Sequence, residues 1–343
     1  MPRIVVIGGS AGSLAPLKRI LRGLPADFPA AVLIVVHVGS RQSILPGLLG
    51  QFSALPVRHA TQGELVAAGQ VLLAPPDLHL TVDMDGERAY TRLSHGPKEN
   101  HSRPAIDPLF RTAAAAYGPD TIGVVLSGFL DDGTVGLQAI KACGGVSVVQ
   151  DPDEAEAPDM PTSALQYAGV DFVLGADRIA QQLVALASKA APESALPAGP
   201  GEAELLERIS IENRAFKEDV DMRDMDRIGS RVALTCPECG GAIWEIRDAA
   251  PLRYRCHTGH AFTARSLESH QGSAVEETLW AAVRALHEQE QLFLRLHRAS
   301  EAHRDASVST LCAREYLLKA EQAREHGRLL RDLIATRMRI APG

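Results

Sequence analysis

The first 190 residues alternate short, unbroken apolar runs with stretches whose apolar positions recur every three or four residues, the pattern of an α/β domain. Ile4-Val5-Val6-Ile7, Val32-Leu33-Ile34-Val35-Val36 and Gly123-Val124-Val125-Leu126 are apolar or glycine at every position. Parallel strands covered by helices on both faces read this way. Helices are predicted over residues 13–24, 42–52, 104–117 and 134–142. The runs at Val71 to Leu73, Leu78 to Val82 and Arg88 to Leu93 read as short antiparallel strands, with Asp85-Gly86 as a hairpin turn.

Past Ala191 the pattern breaks at Pro192, Pro197, Gly199, Pro200 and Gly201, which reads as a linker. A charged helical stretch follows over residues 202–217, then mixed charges with little to bury as far as Arg231. A compact unit opens at Leu234. From Ser273 to Met338 nearly every residue is a helix former, and Val275, Leu279, Val283, Leu286, Phe293 and Leu296, then Cys312, Tyr316, Ala323, Leu330 and Ile334, fall at helical spacing. Two helices broken near residues 305–307 fit an antiparallel hairpin. Its apolar stripe is covered either by the two helices packing on each other or by a homodimer forming a four-helix bundle. The expected organisation is an α/β domain over 1–190, a linker with a charged helix over 191–233, a small compact module over 234–268 and a helical hairpin over 273–340.

Charge and composition narrow the function. The net charge is −7 over 343 residues, against the basic face of a general nucleic-acid binder, so no nucleic-acid partner is expected. No apolar stretch approaches the ~18 residues of a membrane span, and the chain enters a strand at once without a basic and apolar leader. No membrane insertion and a cytoplasmic location are expected. Five cysteines, one pair spaced Cys-x2-Cys, do not suggest a disulfide framework in a chain this long.

The candidate chemistry sits just past the three strands. Ser10, His37 and Asp132 each follow one of them, and ligands of parallel sheets gather beyond the carboxyl ends of the strands. A serine hydroxyl needs a base and an orienting carboxylate to act as a nucleophile, and these residues supply both kinds of group. Taken singly, each has a plainer reading. The Gly8-Gly9-Ser10-Ala11-Gly12 turn could cradle a phosphate, but it lacks G-x-G-x-x-G spacing and the P-loop lysine. His37 could be a strand-end histidine, and Asp132 an N-cap for the helix that follows.

Six motifs in order change that weighing. Ile7-Gly8-Gly9-Ser10-Ala11-Gly12 resembles I-G-A-S-T-G, and Val35-Val36-His37 a strand ending in histidine. Gly69 to Pro75 resembles G-x-x-x-x-A-P, Arg103-Pro104-Ala105-Ile106-Asp107-Pro108-Leu109-Phe110 resembles R-P-S-V-D-x-L-F, and Ser127 to Gly133 resembles T-G-M-G-x-D-G. Gln150-Asp151-Pro152 and Met160-Pro161 complete the series. Over residues 3–187 the chain resembles the catalytic domain of the CheB family, the chemotaxis protein-glutamate methylesterases. The resemblance implies a doubly wound, mostly parallel α/β sheet with Ser10 as nucleophile, His37 as general base and acid, and Asp132 as the carboxylate that orients it. It implies loss of methanol from a glutamate γ-methyl ester through an acyl-enzyme, with glutamine deamidation by the same route. Backbone N–H groups at Ala11 and Phe129 are the oxyanion-hole candidates. The implied partner is a methylated chemoreceptor-like or other signalling protein, and no catalytic cofactor is implied. The chain departs from the family pattern at Ala11, Ser13, Val38-Gly39 and Phe129-Leu130. Asp131 stands beside Asp132, which is preferred because it directly precedes the glycine. Residue 1 already opens the catalytic sheet, so control by an attached receiver domain is not expected.

A second constellation is Cys236-Pro237-Glu238-Cys239, then Cys256-His257-Thr258-Gly259-His260. This is the spacing of a closed tetrahedral zinc site, with Cys236, Cys239, Cys256 and His260 as ligands and His257 as the rival fourth. Trp244, Tyr254 and Phe262 would form the small core around a structural zinc. Arginines there are balanced by acids, which favours a structural or docking role. Two other functions stay open on the residues alone: a catalytically silent regulatory protein, and a zinc-ribbon nucleic-acid binder.

Overall fold

The computed structural model describes residues 2–37, 43–188, 200–216, 221–302 and 307–338. Val38-Gly39, the linker residues 191–199 and the helix break at 305–306 lie outside the described residues. The chain begins with β1 (Arg3–Gly9), α1 (Leu14–Arg22), β2 (Ala30–Val36), α2 (Leu45–Gly50), β3 (Val57–His59) and β4 (Val71–Leu73). A hairpin of β5 (His79–Asp85) and β6 (Arg88–Ser94) precedes α3 (Ile106–Tyr117), β7 (Thr121–Val125) and α4 (Thr134–Ala142). Then come β8 (Val146–Gln150), α5 (Asp159–Tyr167), β9 (Phe172–Leu174) and α6 (Ala176–Ala187).

Seven strands form one parallel sheet in the order β3-β4-β2-β1-β7-β8-β9. Because β1 is apolar from Ile4 to Ile7 and β2 from Ala30 to Val36, alternate side chains serve two cores. Ile4, Val6, Leu33 and Val35 pack with Leu109 and Phe110 of α3 and Leu137 and Ile140 of α4. Val5, Ile7, Val32 and Ile34 pack with Leu17, Ile20 and Leu21 of α1 and Ile179 of α6. Strand order reverses around β1, which lies between β2 and β7, so the crevice beyond the ends of β1 and β7 is a topological switch point.

Val71 to Leu73 differs from its expected antiparallel pairing. It is β4, parallel to both β2 and β3, and all three residues are buried. A three-residue apolar run carries no periodicity from which its direction could be read. The hairpin turn between β5 and β6 is present, with Gly86 at φ +59 and Asp85 paired to Arg88.

Beyond the sheet, α7 (Pro200–Phe216) packs on α3 and α4 and places Ile209 in their core. α8 (Met222–Ile228) buries Met225 and Ile228 beside Ile211, Trp244 and Ile246, although this stretch was expected to have little to bury. Its apolar residues stand singly among charges, so their common face exists only once the helix has formed. The strands β10 (Gly229–Thr235), β11 (Ala242–Ile246), β12 (Arg253–Cys256) and β13 (Ala261–Thr263) form an antiparallel sheet in chain order. Trp244 and Phe262 lie in different cores of this sheet, Phe262 with Cys236, Ile243, Cys256 and Leu267.

The chain divides into two compact units, Met1–Leu267 and Glu268–Gly343. The second holds α9 (Ala264–Ala302) from Glu268 onward and α10 (Ser307–Met338), which run antiparallel. Glu290 bonds Arg324 at 2.7 Å, Phe293 stacks on Tyr316 at 6.5 Å between centroids, and His297 Nδ1 donates to Ala313 O at 2.8 Å. Among the described residues no helix is long and apolar enough to cross a membrane.

Candidate active site

Ser10 and His37 leave adjacent strands at the same level. Gly9 is in register with Val36, and His37 N donates to Gly9 O at 3.1 Å. On the other side of β1, Ser10 N donates to Ser127 O at 2.9 Å, which ties the serine to the loop after β7. A Cβ at Gly128 would lie 2.8 Å from Ser10 Cβ and 2.1 Å from Met160 Sδ, so this loop approaches the serine as only glycine permits.

His37 Nε2 lies 2.8 Å from Asp132 Oδ2. The carboxylate therefore fixes the proton on Nε2 and leaves Nδ1 free to act as a base. Among the described residues Ser10 Oγ makes no hydrogen bond to His37; such contacts are often long in unliganded sites and tighten on substrate binding. The N–H groups of Ala11 and Phe129 make no hydrogen bond among the described residues. A cleft of about 430 Å³ opens beside His37, lined by Asp77, Lys98, His101, Ser102 and Arg103.

Asp132, not Asp131, faces His37. Asp131 turns away and accepts a 2.7 Å bond from Thr263 Oγ1, and burial raises its proton affinity. Asp132 Oδ2 also accepts Ile106 N at 2.8 Å, while its Oδ1 accepts Asp107 N at 3.2 Å, Gly133 N at 3.0 Å and Asn100 Nδ2 at 3.2 Å. Burial works to raise its pKa, but the bonds from His37, Ile106 N and Asn100 outweigh it and hold the group below the usual carboxylate range. Asp132 thus sits on the N-terminus of α3, whose dipole favours an anion.

Asp107 returns the arrangement. From the first turn of α3 its Oδ1 accepts Gly133 N at 3.0 Å and Gly136 N at 2.7 Å, at the start of α4. Its Oδ2 accepts Asn100 Nδ2 at 3.1 Å, so one amide bridges both carboxylates. Burial first, then the neighbouring Asp132 charge, push Asp107 well above the usual carboxylate range. Behind Asn100, the buried Glu99 pairs with Arg111 of α3 at 2.7 Å and Arg255 of β12 at 2.9 Å, and Glu212 of α7 pairs with Arg253 at 3.1 Å. The two arginines hold Glu99 well below its ordinary value against its own burial. Asp107 lay within a quoted motif but had no assigned role, and Asn100 and Glu99 carried no sequence signal beyond their polarity.

The family model for CheB methylesterase matches residues 5–183. A Leptospira interrogans relative is 39% identical over 186 residues, which is 53% of this chain and 93% of the relative. The chain belongs to the CheB methylesterase family. The crystal structure of the Thermotoga maritima CheB methylesterase catalytic domain superposes with a TM-score of 0.53 at 35% identity, covering 54% of this chain and 99% of that domain. A Burkholderia orbicola protein named protein-glutamate methylesterase/protein-glutamine glutaminase 3 is 41% identical over 187 residues, 54% of each chain. A Xanthomonas euvesicatoria relative named protein-glutamate methylesterase/protein-glutamine glutaminase 1 is 37% identical over 188 residues, 52% of its length.

Cys236, Cys239 and Cys256 lie outside the residues that the family model matches. The ligand atoms of Cys236, Cys239, Cys256 and His260 all lie within 4.8 Å of one another. Cys239 Sγ is 3.8 Å from Cys256 Sγ, and Cys256 Sγ is 3.5 Å from His260 Nδ1. A tetrahedral zinc with Zn–S near 2.3 Å spaces its sulfurs by about 3.8 Å, so the residues fit that ion. His257 is not in this group: its ring lies against Gly241, where a Cβ would come within 2.2 Å of Cε1.

Proposed function

We propose that this protein is a protein-glutamate methylesterase that hydrolyses glutamate γ-methyl esters on a methylated chemoreceptor-like or other signalling protein. The observation that carries the reading is the 2.8 Å pair of His37 and the buried Asp132, set at the strand ends beside Ser10. Ser10 Oγ attacks the ester carbonyl while His37 Nδ1 takes its proton. The tetrahedral oxyanion is held by the N–H groups of Ala11 and Phe129, a contribution of a few kcal/mol in such sites. Collapse expels methanol, which receives its proton from His37, and leaves an acyl-enzyme. Water deprotonated by His37 then cleaves it and restores Ser10. A glutamine amide follows the same steps with ammonia leaving, as the double names of the relatives imply. The cleft beside His37 accommodates the substrate backbone.

Cys236, Cys239, Cys256 and His260 would hold a structural zinc that links β10, the β11–β12 sheet and the loop before β13. With four protein ligands the ion has no open position for a reacting water. A second copy would cover Trp280, Leu292, Leu318, Leu329 and Leu333, which are exposed on the second unit, to form a homodimer. The test of the activity is methanol release from carboxyl-methylated chemoreceptor fragments. Release that Ser10→Ala abolishes supports the reading, and no release by the native chain overturns it. Sedimentation at rising concentration reads the dimer, which Leu318→Glu with Leu329→Glu should dissociate.

A further inference from the structure

The four-stranded sheet holds the segment that supports Asp132. Asn100 N donates to Ala261 O at 2.8 Å and Ala261 N donates to Lys98 O at 3.3 Å, so residues 98–100 lie along β13 as an added edge. Asn100 and His101 stand at φ +48 and +65, a left-handed backbone uncommon outside glycine and most often taken by Asn, Asp and His. The amide of Asn100 is oriented from the same sheet: its Oδ1 accepts Thr263 N at 3.1 Å and Ser266 Oγ at 3.2 Å. With the oxygen so occupied, a flip would set NH2 against N–H, and Nδ2 is left aimed at Asp132 and Asp107.

The other end of this linkage is the metal-ligand loop. Arg255, adjacent to Cys256, donates to Gly259 O at 2.9 Å within the loop that ends at His260. The same guanidinium donates to Glu99 Oε1 at 2.9 Å, next to Asn100. Thr263 Oγ1 donates to Asp131 at 2.7 Å, and Arg265 reaches Asp159 at 3.0 Å, whose carboxylate accepts Leu130 N at 3.3 Å. The sheet thus grips both the Asn100 segment and the loop that carries Asp132. Glu99, Asn100, Arg255, Thr263 and Ser266 are all buried, so these bonds have no water to replace them.

We infer that metal occupancy of the Cys236, Cys239, Cys256 and His260 cluster sets the hydrolytic rate, with Asn100 as the positioning residue that couples β12 and β13 to Asp132. The inference rests on the esterase reading and on the zinc reading above. A small cysteine-held sheet loses its order without its ion, because binding energy there is folding energy. Asn100 then loses the donors that orient it, and Asp132 loses one of its bonds while keeping those from Ile106, Asp107 and Gly133. The expected effect is therefore a slowing of roughly tenfold to a hundredfold, as for a lost bond to a charged group, rather than abolition.

The test uses the full chain and a fluorophosphonate probe, which reports an activated serine whatever the natural substrate. Zinc analysis should give one ion per chain. Chelation should slow labelling of Ser10 by about tenfold or more, and added zinc should restore it. Asn100→Ala should slow labelling by about tenfold, and chelation should then slow it by clearly less than in the native chain, since the two perturbations share the Asn100 bond. Asn100→Ala should also move the acid limb of the rate profile to higher pH, because a carboxylate that loses a donor attracts the protonated form of the base more strongly. Hydrogen exchange should show lost protection at residues 98–107 on chelation, with β1 and β2 unchanged, which separates this coupling from general unfolding. An unchanged labelling rate and unchanged exchange on chelation, or effects of Asn100→Ala and chelation that multiply, overturn the coupling. Absence of zinc in the purified chain overturns it as well. If Ser10 is not labelled in any form, the esterase reading itself fails, and the coupling with it.

Discussion

Replacing Asp132 by Asn changes one atom, and the structure indicates that it is not conservative. The two carboxylate oxygens accept from five donors: His37 Nε2, Ile106 N, Asp107 N, Gly133 N and Asn100 Nδ2. An amide must turn its NH2 toward one oxygen position. At Oδ1 it would oppose Asp107 N, Gly133 N and Asn100, so the less costly choice places it at Oδ2, against Ile106 N and His37. Stranding the buried Ile106 N–H costs about 1–3 kcal/mol. Losing the charge at the N-terminus of α3 costs about 0.5–1 kcal/mol more. Relief of repulsion with Asp107 offsets part, leaving a net loss of about 2 kcal/mol of stability. For the chemistry, the NH2 forces His37 to accept at Nε2 and to carry its proton on Nδ1, so Nδ1, the base in the proposed mechanism, can no longer take a proton. A triad with the wrong tautomer loses about 10⁴ in kcat. Urea unfolding and the rate of methyl ester hydrolysis measure the two effects. Asp131→Asn is the control, because that side chain bonds Thr263 and not His37, and its rate should stay within tenfold of native. A rate for Asp132→Asn within tenfold of native, at an unchanged urea midpoint, would refute the reasoning.

Further outcomes are expected elsewhere in the first unit. Gly128→Ala should slow Ser10 labelling at least tenfold and cost about 1–3 kcal/mol, since the new methyl meets Met160 and Ser10; Met160→Ala in the same chain should not restore the rate, and a native rate in Gly128→Ala would remove the role given to this contact. Glu99→Gln leaves Arg111 and Arg255 buried without their shared carboxylate and should cost about 3–5 kcal/mol, whereas a loss below about 1 kcal/mol by urea unfolding would show that the cluster is relaxed or wet. His79 is buried, donates from Nε2 to Pro97 O and accepts Ala105 N, and burial pushes its pKa down to about 4. The unfolded chain therefore takes up a proton that the folded one refuses. This contribution is complete above pH 6.5 and is lost as pH falls toward 4, by about 3 kcal/mol. Urea unfolding at pH 7 and pH 4.5 should show a smaller loss for His79→Gln than for the native chain.

How much of this was legible in the sequence varied with the range of the interaction that decided it. The apolar runs of β1, β2 and β7 declared themselves as buried strands because every position faces a core, and α4 lies over residues 134–142 as its spacing predicts. The direction of β4 was not legible, because three apolar residues are compatible with either pairing. The apolar faces of α7 and α8 were hidden among charges, and the buried Glu212, Arg253 and Arg255 read as surface charge until partners from α3 and the Glu99 segment neutralised them.

By itself the sequence determined an α/β sheet with a serine, a histidine and a pair of aspartates each just past a strand, and a cysteine and histidine spacing suited to a metal. These are local properties: a strand's apolar period and a ligand spacing are set within a few residues of chain. The sequence preferred Asp132 to Asp131 and His260 to His257, and the tertiary structure sets Asp132 against His37 and groups His260 with the cysteines, but it alone decided that Asn100 bridges Asp107 and Asp132 from a segment held by β13. Each of these turns on where a side chain points after elements far apart in sequence have packed. Nothing in the residues near Asn100 encodes the position of Thr263, 163 residues further along the chain.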